Sequence, residues 1–279
     1  MITNGYRLPS VAGSFYPSDP GKLISQIDAF FEKAPKFDID GKIIGMIVPH
    51  AGYISSGFTA AIAYNLLFGK PIKNVVIISP SHHEFIRGVS LFDGMGYLTP
   101  LGRVDINKEL SEELMASGNN TIYRSSDGHR GEHSIEVQIP FLQRVLSDFK
   151  IIPLVMIHDN FEISDSLSDI LYKVFSNKDD FLIIATSDLS HHKSYDLAHK
   201  YDYIIRNDIE KFDPDSIIQN IMNGKTEACG CAPIVSMLKA SKKLGASHSK
   251  VLHYSDSSTV FGDKSSVVGY LSAVIWKPL

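Results

Sequence analysis

Three apolar runs in this chain end in histidines framed by small and turn-forming residues. Ile43–Val48 leads into Pro49-His50-Ala51-Gly52-Tyr53. Val75–Ile78 leads into Ser79-Pro80-Ser81-His82-His83. Phe181–Ala185 leads into Thr186-Ser187-Asp188-Leu189-Ser190-His191-His192. An imidazole ligates metals when neutral and moves protons near neutral pH, so these loops point to metal or proton chemistry. Ligands of open α/β sheets bind beyond the carboxyl ends of the strands. His50, His82 and His191 share that position, and one common cleft explains it better than three separate coincidences. A fourth run, Ile151–Met156, continues into Ile157-His158 without such framing.

Two further segments carry suitable groups. Glu132-His133-Ser134 opens an apolar helical pattern. Its residues read equally well as helix N-terminal chemistry and as the rim of the cleft. Ala228-Cys229-Gly230-Cys231-Ala232-Pro233 precedes the helical stretch Ile234–Leu244. Pro233 suits a first helical turn, and a cysteine just ahead of a helix is expected to gain thiolate character from the dipole. The ordinary reading of Cys229 is a small buried apolar side chain, but the flanking glycine and proline favour function. Asp188 and Glu132 are the carboxylates placed to orient imidazoles. His83, His129, His158, His192, His199, His248 and His253 are expected to be surface or satisfied polar residues. No GxGxxG, P-loop or G-x-S-x-G pattern is present, so phosphate-loop and nucleophile-elbow chemistries have no support.

The elements that would position these groups follow from the pattern. The four runs are rich in Ile and Val and do not alternate with polar residues, as in strands covered on both faces. Helical spacing recurs over Gly57–Phe68, over Ile135 to Phe149 with Pro140 bending or delaying it, over Ile163–Phe175 and over Tyr195–Phe212. Lys250–Tyr254 and Ser266–Trp276 read as strands. The polar stretch from Ser117 to Ser134 reads as an internal loop. The expected fold is α/β, one domain over residues 1–279, with a mainly parallel central sheet covered by helices. The chain has 279 residues, 44% of them hydrophobic, and a formal net charge of −4. That acidic balance argues against a nucleic-acid partner. No apolar stretch reaches the ~20 residues needed to span a bilayer, and no charged start followed by an apolar block marks a leader. Two cysteines one residue apart suit a reducing cytoplasm, with both thiols free.

His50-Ala51-Gly52-Tyr53, Pro80-Ser81-His82-His83, Glu132-His133-Ser134, Ser187-Asp188 with His191, and Ala228-Cys229-Gly230 occur together and in order. In these motifs, in Arg7–Tyr16 and in Ser265–Leu271, the sequence resembles the Memo family, including its "AmmeMemoRadiSam system protein B" members, over nearly the whole chain. That family is similar in fold to class III extradiol dioxygenases, which bind Fe(II) with two histidines and a glutamate. The resemblance implies a single metal ion held by His50, His82 and Cys229, with the cysteine in the glutamate's place. It implies an acid/base role for His191, with Asp188 and His133 lining the pocket. A His₂Cys set suits iron or copper, and also zinc. The functions it implies are metal-dependent redox or dioxygenase-like chemistry, a zinc-dependent hydrolase, or a peptide-binding adaptor that uses the cleft. The implied partners are a small molecule or peptide, a radical SAM protein and an AMMECR-type protein.

Overall fold

A computed structural model describes residues 2–118, 120–157 and 159–278. His158 lies outside them. The strands are β1 (Ile2–Thr3), β2 (Tyr6–Arg7), β3 (Lys42–Val48), β4 (Asn74–Pro80), β5 (Val89–Phe92), β6 (Gly96–Thr99), β7 (Gly102–Asp105), β8 (Ile122–Ser125), β9 (Lys150–Met156), β10 (Phe181–Thr186), β11 (His191–Lys193), β12 (His248–Asp256) and β13 (Val267–Lys277). The helices that pack on them are α1 (Pro20–Lys33), α2 (Phe58–Tyr64), α3 (Lys108–Ser117), α4 (Ile139–Val145), α5 (Phe161–Phe175), α6 (Tyr195–Glu210), α7 (Pro214–Met222) and α8 (Cys231–Lys243).

The four apolar runs form the centre of a nine-stranded sheet. β3, β10, β4 and β9 lie side by side and parallel. The flanks are mixed. β13 runs antiparallel to β3, β11 and β12, while β5 runs antiparallel to β9 and parallel to β8. A smaller sheet joins β1, β2, β6 and β7.

Successive residues of the central strands feed opposite cores, which is why these runs contain no polar alternation. Val76, Ile78, Ile183 and Ala185 pack with Leu167, Leu171, Val235 and Leu238 of α5 and α8. Val75, Ile77, Leu182 and Ile184 pack with Leu23, Ile62, Ala63 and Leu142 of α1, α2 and α4. α8 lies close on the sheet at Gly45, where an added Cβ would strike Met237 Sδ and sit 2.9 Å from Ser241 Oγ.

The stretch Ser117–Ser134 is not a plain loop. It holds β8, whose Tyr123, Arg124 and Ser125 are only half-buried beside β5. A short outermost strand needs few apolar residues, so its composition imitates a loop. Pro140 does delay its helix. A 3₁₀ turn over Glu136–Gln138 comes first, and the proline sits in the opening turn of α4.

Candidate metal centre

The three histidine loops leave the carboxyl ends of the parallel strands β3, β4 and β10. There the structure brings one ligand atom each from His50, His82 and Cys229 within 4.8 Å of one another. The imidazoles of His50 and His82 meet edge to face, with centroids 5.0 Å apart. Cys229 arrives from the turn ahead of α8. That turn needs Gly230, where a Cβ would collide with the Thr186 carbonyl and lie 2.7 Å from Ser187 Cβ.

Each histidine is fixed through Nδ1. His50 is fully buried, and its Nδ1 lies 2.9 Å from Thr186 Oγ1. With its proton there, it turns a bare Nε2 toward Cys229 Sγ at 3.1 Å. Thr186 is itself held by Gln138 Nε2 (3.0 Å), and Tyr64 OH donates to Gln138 Oε1 (2.9 Å). His82 Nδ1 lies 3.1 and 3.2 Å from the two oxygens of Glu132, which leaves Nε2 as its free donor atom. A carboxylate or hydroxyl on the far nitrogen is the usual support of a metal-binding histidine.

His82, Glu132 and His133 form a second group with donor atoms equally close together. Glu132 is already committed. It is buried and accepts from the amides of His82 (2.7 Å), His133 (2.9 Å) and Ser134 (2.9 Å), and from Ser134 Oγ (2.7 Å). Its lone pairs orient protein groups, so the first group fits a metal better.

Electrostatics follow from burial and these contacts. Burial, and then repulsion from any positive charge on His82 and His133, holds His50 well below the usual histidine range. Burial also opposes protonation of His82, but the hydrogen bond and charge of Glu132 outweigh it and raise that group. His133, stacked on His82 with centroids 4.9 Å apart, is lowered to about 4 by burial against the pull of Glu132. Asp188 is pushed up to about 7 by burial, although it accepts from the His50 amide at 2.8 Å.

Cys229 corrects the dipole expectation. Burial, and then the charge of Asp188, raise its thiol well above the ordinary value. A helix N-terminus does not offset the loss of water. Without a metal the group is a thiol, with Sγ 3.1 Å from His50 Nε2.

His191 lies close enough for its charge to lower His50, and its own proton affinity is lowered by burial. It stands outside the donor groups described above. His129, His199, His248 and His253 have ordinary hydrogen-bond partners. His129 is buried between Tyr97 OH (2.9 Å) and the Ser90 carbonyl (3.1 Å). His199 pairs with Asp256, His253 with Thr59, and His248 with Ser247.

Sequence reasoning missed Thr186, Gln138, Arg7 and Glu136. Glu136 is fully buried and pairs with Arg7 at 2.7 Å. It also accepts from the amides of Ser10 and Val11 and from Tyr16 OH. Arg7 reaches the carbonyls of His129 and Glu132, so this pair moors the loop that carries Glu132 and His133. A buried Gln138 within the apolar face of Ile135, Ile139 and Leu142 was the available signal.

Residues 7–274 match the family described as "Memo-like protein". "MEMO1 family protein MJ0403" of Methanocaldococcus jannaschii is 36% identical over 98% of this chain and 99% of its own length. A "MEMO1 family protein" of Sulfolobus acidocaldarius is 38% identical over 95% of this chain and 98% of its own. Among solved structures, uncharacterized protein JW3007 from Escherichia coli K12 shares the fold, with a TM-score of 0.55 at 11% identity. That alignment covers 84% of this chain and 99% of the other.

Proposed function

The chain belongs to the Memo family, and from that premise we propose that it is a mononuclear metal enzyme of redox type. His50 Nε2, His82 Nε2 and Cys229 Sγ hold one iron ion, and His191 handles the proton.

One observation carries the reading. Two histidines and one cysteine, from three separate loops, face one another with both imidazoles anchored by Nδ1. A cleft used only to dock a peptide has no physical need of that arrangement.

Iron is favoured over zinc by the likeness of this set to the two-histidine-one-carboxylate iron sites, in which three protein donors leave open positions. Bound there, Fe(II) would supply the redox capacity and the vacant positions that dioxygen chemistry requires.

The protein supplies the rest. Glu132 and Thr186 keep both Nε2 atoms bare. The Asp188 amide donates to Cys229 Sγ at 3.2 Å and eases the negative charge of the thiolate. Phe15, edge-on to His133 with centroids 4.9 Å apart, adds an apolar wall. His191, neutral at pH 7 through burial, accepts a proton from a substrate hydroxyl.

The test is metal analysis and oxygen uptake of protein purified without oxygen and reconstituted with Fe(II), zinc or copper. One equivalent of iron with catalysed oxygen consumption is expected. Tight zinc binding without oxygen uptake would move the assignment to a hydrolase. Failure of all three metals to bind would leave only the adaptor reading.

A further inference from the structure

The loop from β10 to β11 is held by every backbone amide between Asp188 and His191. Asp188 N–H donates to Cys229 Sγ (3.2 Å), Leu189 N–H to the Gly269 carbonyl (2.8 Å), and Ser190 N–H to Asp202 Oδ1 (3.0 Å). His191 N–H donates to Glu227 Oε1 (2.9 Å). The other oxygen of Glu227 pairs with Lys193 Nζ (3.0 Å), which also lies 4.8 Å over the Tyr201 ring.

Between those two contacts the backbone is irregular. His192 has φ +54°, a left-handed conformation that side chains other than glycine seldom adopt, and the pairing of β11 with β13 shifts there. Such a bulge re-aims the side chain beside it and persists only where its surroundings enforce it. Glu227 grips both ends, the amide ahead of His192 and the ammonium after it.

Glu227 also stands two residues from Cys229. Its own segment is tied down on both sides. Thr226 Oγ1 donates to the Tyr201 carbonyl in α6 (2.7 Å), and the Cys229 amide donates to the Asp188 carbonyl (3.2 Å). One short segment thus carries the thiol and clamps the loop that carries the acid/base imidazole.

We propose that Glu227 is a positioning residue that holds the bulge at His192 and thereby fixes the orientation of the His191 imidazole. This rests on the proton-handling role given to His191 above. It is tested on metal-free protein, so that it and the metal assignment fail separately.

The readout is the imidazole ring of His191 in long-range proton–nitrogen spectra of the full chain, compared for wild type, Glu227→Gln and Glu227→Ala. The Leu189 carbonyl bears on this ring and favours one placement of its proton. Wild type is expected to show one fixed neutral tautomer. Glu227→Ala is expected to merge the two ring-nitrogen signals toward their mean. Glu227→Gln keeps an acceptor for the His191 amide and is expected to retain most of the separation. The signals of His50 and His129 stay in place in all three.

A fixed tautomer in Glu227→Ala, an averaged ring in wild type, a Gln variant that behaves like Ala, or His50 and His129 moving with His191 would each overturn the proposal. If Glu227→Ala does not fold, Lys193→Met frees the other carboxylate oxygen. A partial merging is then expected, and a wild-type spectrum overturns the idea. Absence of bound metal in wild type would end the metal assignment and leave these spectra as they are.

Discussion

Replacing Glu132 by glutamine changes one oxygen to an amide and nothing in size, yet it should cost metal affinity. Oε1 accepts from the His133 and Ser134 amides, from Ser134 Oγ and from His82 Nδ1. Oε2 accepts from the His82 amide at 2.7 Å and from Nδ1 at 3.2 Å. A glutamine carbonyl placed at Oε1 keeps most of these bonds but sets its NH₂ against the His82 amide. That NH₂ also favours a bare Nδ1, which moves the His82 proton to Nε2, the proposed metal-binding atom. Reversing the tautomer forfeits a charge-assisted hydrogen bond worth about 1.5–3 kcal/mol. Losing such an outer partner of a metal-bound histidine typically weakens affinity about 10–100-fold, or about 1.4–2.7 kcal/mol. Chelator competition with zinc on folded protein at one pH measures this directly. Glu132→Gln should raise Kd about 10–100-fold. Ser134→Ala, whose hydroxyl stands 3.3 Å from His82 Nδ1, should stay within about threefold. A Glu132→Gln protein that binds within about threefold of wild type would refute the idea that this carboxylate fixes the ligand.

Three further outcomes are expected. Arg7→Met leaves Glu136 buried without its cation and should destabilise the protein by about 3–5 kcal/mol in urea unfolding, because an uncompensated buried charge is costly; a loss under about 1 kcal/mol would show that Tyr16 and the Ser10 and Val11 amides suffice. Gly230→Ala drives a Cβ toward the Thr186 carbonyl and Ser187, so a loss of about 1–3 kcal/mol is expected, and unchanged stability would mean that the turn gives way. His129, with its pKa lowered from 6.5 to about 3 by burial, takes no proton in the fold where the unfolded chain does. Its stabilising effect is therefore complete above pH 6.5 and is lost progressively as pH falls toward about 3. Between pH 7 and pH 5, wild type should lose about 2 kcal/mol more than His129→Gln, whose amide meets the same two partners, and equal losses would contradict the assignment.

The central sheet was legible because doubly covered strands leave a plain mark. Val75–Ile78 and Phe181–Ala185 contain no polar residue to confuse with a helix or loop. The smaller sheet was not. Its strands run two to four residues, and pairings such as Tyr6 with Gly96 are fixed by contacts that no local window holds. Three helices passed unread although their caps were present. Asp19 before Pro20, Asn107, and Asp213 before Pro214 each accept from a first-turn amide.

In the candidate centre, strand-end placement brought out His50, His82 and His191, and the Gly230 turn brought out Cys229. The supports were harder to read. Thr186 and Gln138 matter through bonds to groups far away in the chain, and burial decides the state of Cys229 against the rule for an exposed helix start. Side chains named by position alone were legible. Those that act by orienting another group required the fold.

The proposed metal centre requires Cys229 to be a thiolate ligand of one metal ion together with His50 and His82. The direct measurement is the absorption spectrum of the Co(II)-substituted protein, titrated to one equivalent. A sulfur-to-cobalt charge-transfer band is expected that saturates at one equivalent, vanishes in Cys229→Ser and persists in Cys231→Ser, whose thiol is raised to about 12 by burial. A band that survives Cys229→Ser, or a wild-type protein that binds no cobalt, would contradict it.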